Sequence, residues 1–252
     1  MNLGWFSTGR DEAALDLLRA IHAAIQRGEI PATEIVVVFC NRERGEFALT
    51  DRFLDLVAQL QIPWVTFSSA RFQPELRKQD VEAWRVAFDR EVMRRLAPFA
   101  VDLWVLAGYM LIVSPLLCQK YPLINLHPAL PGREKGSWQE VIHQLIAQEA
   151  EDTGCMMHLV TPELDAGPPI TYCRFSLREE PFASLWEEKG ETLFWEIRQH
   201  GFRRELPLLV ETLKLFACGE IKIESGQVKT AAGEVLEGGY DLTAEIDRRV
   251  KV

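Results

Sequence analysis

Short apolar runs alternate with longer stretches of helical period along most of the 252 residues, and this rhythm constrains the fold more than any other feature. "LGWFS" reads as a strand and "DEAALDLLRAIHAAIQRG" as a helix, acidic in its first turn and closed by Gly28. "EIVVVFC" is apolar throughout, the pattern of a strand buried on both faces. Thr50 is placed to cap a helix over "DRFLDLVAQLQ"; "WVTF" follows as a strand, and "DVEAWRVAFDREVMRRL" as a helix running up to Pro98. "VDLWVLAG", the short helix "SPLLCQKYP" with Pro115 at its first position, and the strand "LINLH" continue the series. Ser137 caps "WQEVIHQLIAQEA", and "GCMMHLV" and "PITYCRF" complete the sheet. Alternation of this kind predicts an α/β, Rossmann-like fold: a mainly parallel twisted sheet with helices on both faces.

The last third reads as support. "ETLFWEIRQHGFRRELPLLVETLKLFACG" has apolar residues at helical spacing, with Pro207 expected to interrupt or kink it. "EIKIESGQVKTAAGEVL" alternates polar and apolar residues around Ser225-Gly226, a hairpin signal. No repeat or low-complexity linker divides the chain, so the expected organisation is one catalytic domain over residues 1–219, with a C-terminal β-hairpin and tail over 220–252 packed on it.

Composition narrows the function. Twenty-eight Lys and Arg face 37 Asp and Glu, a formal charge of -9, which repels a phosphate backbone and argues against nucleic acid as a partner. The five cysteines are scattered without a C-x-x-C pair and without histidines at ligand spacing, so they read as small buried hydrophobes of a reducing cytoplasm, and no metal site is expected. No run approaches the roughly 18 apolar residues of a membrane span, and the first residues are too short in apolar length for a signal peptide. A cytoplasmic protein without a membrane partner is the expectation.

Chemistry concentrates at "LINLHPALPG". Side chains alternate along a strand, so Asn125 and His127 point one way while Leu126 goes into the core, and Pro128 ends the strand. In an open parallel sheet that position is the carboxyl edge where α/β proteins bind ligands. Downstream, "GCMMHLVTPELDAGPPI" places Asp165 in a tight loop bounded by Pro162 and Gly167, where a carboxylate is held in place without helix support. An amide to polarise a carbonyl oxygen, an imidazole to move a proton and a carboxylate to hold that imidazole or a water are the parts of acyl transfer to an amine. No Ser or Cys nucleophile accompanies them, which favours direct transfer through a tetrahedral intermediate.

"FDREVMRRLAPFAVDLWVLAGYMLIVSPLLCQKYPLINLHPALP" followed by "DTGCMMHLVTPELDAGPPI" resembles the 10-formyltetrahydrofolate-dependent formyltransferase family, most closely its members acting on glycinamide ribonucleotide in purine biosynthesis. The Asn-x-His-Pro and Leu-Asp-x-Gly-Pro elements carry the resemblance, which extends to the closing hairpin. It implies catalytic roles for Asn125 on the developing oxyanion, for His127 in proton transfer or oxyanion stabilisation, and for Asp165 in ordering a water and orienting His127. It implies a formyl donor, 10-formyltetrahydrofolate, bound along Met110, Leu111, Val113, Val160, Thr161 and Leu164, and a substrate phosphate held by Ser7, Gly9 and Arg10. The implied partners are the folate and a small-molecule amine, with the chain a monomer or homodimer.

Three stretches depart from that pattern. "STGRDEAA" has one Gly and two acids where the family's phosphate loop is rich in Gly, Ser and Asn, and acids at a helix entrance oppose an anion. Leu111 stands where an Arg lies near the folate tail, and "PGREKGSW" replaces a loop bearing His. Other acceptors therefore stay open, among them an amino sugar nucleotide or an amino-acid derivative. Methionyl-tRNA formylation is disfavoured by the acidic charge and by the want of an added RNA-binding domain, and hydrolysis of formyltetrahydrofolate by the want of a regulatory domain ahead of the first strand. A catalytically idle folate-binding module is the reading from a different class.

Overall fold

The structure, a computed structural model, describes residues 1–250, and these form two compact units. The first comprises Met1–Asn125 with Val160–Pro162; the second comprises Leu126–Leu159 and the described residues from Glu163 to Val250.

In the first unit, strands β1 (Asn2–Ser7), β2 (Glu34–Cys40), β3 (Trp64–Thr66), β4 (Leu103–Leu106) and the start of β5 (Leu123–His127) pair only in parallel: β5 with β4, β4 with β1, β1 with β2 and β2 with β3. Continuous apolar runs make this possible, since Leu3, Trp5, Phe6, Val37, Val38 and Phe39 are all sealed from solvent. Gly4 is required by close packing: a Cβ there would lie 2.2 Å from the Trp104 ring. Helices α1 (Glu12–Gln26), α2 (Ala48–Gln59), α3 (Pro74–Gln79), α4 (Val81–Leu96) and α5 (Pro115–Lys120) connect the strands. Asp11 caps α1 and Asp80 caps α4 through their side chains. The expected cap at Thr50 is wrong. Thr50 lies inside α2, fully buried, and its hydroxyl sits 3.2 Å from the Thr8 carbonyl and 3.1 Å from that of Gly9, so it secures the loop after β1.

In the second unit, β6 (Asp152–Leu159) and β7 (Pro169–Ser176) are antiparallel, and β10 (Tyr240–Asp241) adds to β7 in parallel. β10 was not anticipated, because two residues carry no periodicity. Helix α6 (Trp138–Ala147) opens with a full capping box between Ser137 and Glu140. Helix α7 (Glu191–Ala217) runs through Pro207 without interruption, contrary to one reading of the sequence. Leu193, Ile197, Leu208, Leu209 and Leu213 are buried along it. Each such burial contributes about 1.5–3 kcal/mol, which together exceeds the roughly 3 kcal/mol that an internal proline costs. β8 (Ile221–Glu224) and β9 (Gln227–Thr230) form the expected hairpin, with Ser225 and Gly226 at φ +54 and +74, the left-handed pair of a tight turn. Helix α8 (Thr243–Val250) follows. The expected mainly parallel α/β fold with an added antiparallel hairpin is borne out.

Candidate active site

His127 ends β5 with its ring buried, at 2% exposure. Its Nε2 lies 2.8 Å from the carbonyl oxygen of Glu134. A carbonyl only accepts, so Nε2 carries the proton and donates, and in the neutral ring Nδ1 is the basic nitrogen. That nitrogen faces Asp165 Oδ2 at 3.6 Å. The other carboxylate oxygen of Asp165, Oδ1, lies 3.7 Å from Nε2 of a second buried imidazole, His158 on β6. The Nδ1 of His158 is 3.0 Å from the Leu159 carbonyl and must donate to it. The two rings are 6.2 Å apart and nearly perpendicular. One carboxylate is thus flanked by two imidazoles, each with its far nitrogen fixed as a donor to the main chain. A proton added to either ring turns its facing nitrogen into a donor toward Asp165.

Local backbone fixes this arrangement. Asp165 adopts φ +50, a left-handed conformation that Asp tolerates better than most residues. Its Oδ2 also accepts the Gly136 N–H at 3.1 Å. Gly167 is obligatory, since a Cβ there would stand 1.6 Å from the Leu159 carbonyl oxygen, the same oxygen that holds His158. The Leu159 N–H closes the loop on the Pro168 carbonyl at 2.9 Å.

Burial pushes the pKa of His127 below its usual 6.5; the Asp165 charge, the Glu134 carbonyl bond and the Glu134 carboxylate oppose this, while His158 adds to it. Burial pushes Asp165 upward, but the His158 contact, the His127 field and the Gly136 N–H outweigh it and hold the carboxyl below its usual value. A neutral imidazole beside an ionised carboxylate is an arrangement suited to accepting a proton.

Asn125 precedes His127 by two residues and pairs in register with Leu106. Leu126 between them is half-buried, not sealed in the core as the alternation suggested. Of the residues expected along the folate, Leu111, Val113 and Val160 belong to one apolar cluster of the first unit, and the Val160 N–H bonds the Leu123 carbonyl at 2.8 Å. Met110 is 44% exposed, with its N–H donating to Thr8 Oγ1; Thr161 is half-buried. Leu164, in the second unit, is also 44% exposed. In the loop after β1, Ser7 is buried and its Oγ accepts the Gly9 N–H at 3.1 Å, with Gly9 at φ +59. Arg10 is half-buried, and its Nε is 3.7 Å from Asp11, the α1 cap. Thr8, not singled out in the sequence, stiffens this loop by donating to Asn41 Oδ1 at 2.7 Å. His158 and Glu134 were also missed: one lies in an apolar strand, the other in a charged loop that reads as solvated.

A family model described as "Formyl transferase" matches residues 13–180, two thirds of the sequence. The chain belongs to the formyl transferase family. The matched span contains Asn125, His127, His158 and Asp165, and begins after Ser7, Gly9 and Arg10. The phosphoribosylglycinamide formyltransferase of Haemophilus influenzae is 32% identical over 230 residues, covering 88% of this chain and 92% of that protein. The same-named protein of Escherichia coli is 39% identical over 88 residues, a match spanning 34% of this chain and 41% of that protein. The solved phosphoribosylglycinamide formyltransferase of Coxiella burnetii superposes with a TM-score of 0.73 over 96% of this chain and 98% of that one; at 23% identity this speaks for the fold. Family and fold are as the sequence motifs implied. Among the described residues, no helix is long and apolar enough to cross a membrane.

Proposed function

We propose that this formyl transferase family enzyme moves the formyl group of 10-formyltetrahydrofolate to the amine of glycinamide ribonucleotide by direct attack. The observation that carries the reading is the Asp165 carboxylate, its side chain 8% exposed, flanked by His127 and His158, each ring held at its far nitrogen by a main-chain carbonyl. Asn125 donates its amide N–H to the formyl oxygen as charge develops there. His127 takes a proton from the attacking nitrogen, and Asp165, positioned in turn by His158, orients His127 and orders a water. The folate supplies the electrophilic carbon; this chain's residues orient it, and the exposed apolar side chains of Met110 and Leu164 fit a role in covering a planar ring. Leu111, Val113, Val160 and Thr161 complete that assignment, and Ser7, Gly9 and Arg10 take the acceptor's phosphate.

The reaction is assigned to residues 1–219, with 220–252 as an appendage; Lys251 and Val252 lie outside the described residues. The enzyme acts in the cytoplasm as a monomer or homodimer, on small molecules and without a nucleic-acid or membrane partner. A second reading, transfer to another small amine, is favoured by one observation: Arg10 already leans on Asp11 at the helix entrance where a phosphate would bind. Incubation with 10-formyltetrahydrofolate and glycinamide ribonucleotide, following deformylated folate and formylated product together, separates the readings. Product from glycinamide ribonucleotide supports the first; product only from another amine in a panel supports the second; folate release without any formylated amine refutes both.

A further inference from the structure

Glu134 follows His127 by seven residues, in the loop that sets this chain apart from its resemblance. Its sequence neighbours are cations, yet both are engaged elsewhere: Arg133 Nη1 is 2.5 Å from Asp152 Oδ1 and Lys135 Nζ is 3.1 Å from Glu163 Oε1. Glu134 turns inward instead. The residue is 8% exposed, and its Oε2 is out of contact with solvent and has no hydrogen-bond partner among the described residues. A carboxylate oxygen left buried and unpaired destabilises the fold unless something supplies a donor. The main chain of Glu134 is fixed beside the site, because its carbonyl accepts the His127 Nε2–H at 2.8 Å. Its carboxylate is near enough for its charge to act on the His127 ring, as the charges of Asp165 and His158 do.

We propose that Glu134 determines acceptor specificity, its carboxylate receiving the N–H groups of a primary amine that arrives as the ammonium ion and releases one proton to water before its nitrogen attacks. The chemistry of the unpaired group selects this ligand. A buried carboxylate oxygen is complementary to a compact cation with several donors, and an alkyl amine near neutral pH is such a cation. Hydroxyl nucleophiles and water bring no charge to compensate it, so the same residue discriminates against hydrolysis of the donor. The assignment deepens the formyl-transfer reading and rests on it.

The test compares the full chain with Glu134→Gln, which keeps shape and removes charge, and with Glu134→Asp. Formyl transfer is measured with 10-formyltetrahydrofolate and glycinamide ribonucleotide. For Glu134→Gln the acceptor KM is expected to rise about ten- to a hundredfold, the loss of a charge-assisted hydrogen bond, while the folate KM stays within about twofold. Glu134→Asp is expected to fall between. The melting temperature of Glu134→Gln is expected to match or exceed that of the wild type, since an uncompensated buried charge has been removed. An acceptor KM unchanged in a folded Glu134→Gln overturns the proposal. So does a parallel rise in both KM values with a lowered melting temperature, which marks a structural loop residue. Wild-type protein that formylates no amine refutes the reading itself, and the proposal with it.

Discussion

Replacing Asp165 by Asn removes one charge from the centre of the site and little else. Asn adopts the left-handed φ +50 of this position as readily as Asp does, and its amide oxygen still accepts the Gly136 N–H. What is lost is the field that favours an imidazolium at 3.6 Å (His127) or 3.7 Å (His158). At an effective dielectric constant of about 20, a charge pair at either distance is worth about 4.5 kcal/mol. The proposed transfer adds one proton, to His127, so one such term counts, and the Asn dipole and rearranged water recover part of it. A net loss of about 2–3 kcal/mol is left, which is about thirty- to 150-fold in kcat. Steady-state kinetics on the purified variant, with the folate KM as internal control and a thermal melt to show folding, measures this. A folded Asp165→Asn with kcat within about fivefold of wild type refutes the electrostatic reasoning. Combination with His158→Gln is expected to be less than additive, because His158 acts on His127 through Asp165.

Asn125→Ala is expected to lower kcat by about a hundred- to a thousandfold with little change in either KM, as removal of one oxyanion donor does; a KM effect alone would make Asn125 a binding residue. Arg10→Ala is expected to raise the KM of a phosphorylated acceptor by about 1.5–3 kcal/mol equivalent and to spare that of the folate; an unchanged KM removes Arg10 from the site. The pH dependence of stability follows from His127. Its folded pKa lies below 6.5, so between that value and 6.5 the unfolded chain binds more protons, and stability falls as pH drops through this window. Urea unfolding at pH 7.5 and pH 5.5 is expected to show a smaller difference for His127→Gln than for wild type. The pH profile of kcat/KM is expected to keep its plateau to below pH 6.5, where an ordinary imidazole would already have charged.

What could be read in the sequence was whatever left a local trace. Strands β1, β2 and β5 and the cap at Ser137 follow from apolar runs and from a polar residue at a fixed offset, which act within one turn or one strand. Thr50 failed for the opposite reason. Its hydroxyl has the chemistry of a cap, but its partners, the carbonyls of Thr8 and Gly9, are about forty residues away, so only the folded chain decides its use. Pro207 failed similarly, because its local cost is outweighed by side chains buried through tertiary packing.

The candidate site divides along the same line. Asn125, His127 and Asp165 announce themselves through the prolines and glycines that fix their loops. His158 sits in "GCMMHLV", where an imidazole among Met, Cys and Leu reads as a core residue, and Glu134 sits in "REK", where a carboxylate between two cations reads as a solvated face. The two readings err in opposite directions for one physical cause: whether a polar group in a sequence is satisfied depends on donors and acceptors contributed from elsewhere in the chain. Arg133 and Lys135 turn away to Asp152 and Glu163, and that leaves Glu134 without the compensation its neighbours seemed to guarantee. Conversely, His158 is anchored at Nδ1 by the Leu159 carbonyl, with its Nε2 3.7 Å from Asp165 Oδ1. A ring anchored by a main-chain carbonyl holds its neighbour in place, whereas a buried group left unsatisfied is the one with capacity to bind. On that distinction His158 is a positioning residue for Asp165, and Glu134 is where a cationic acceptor finds its counter-charge.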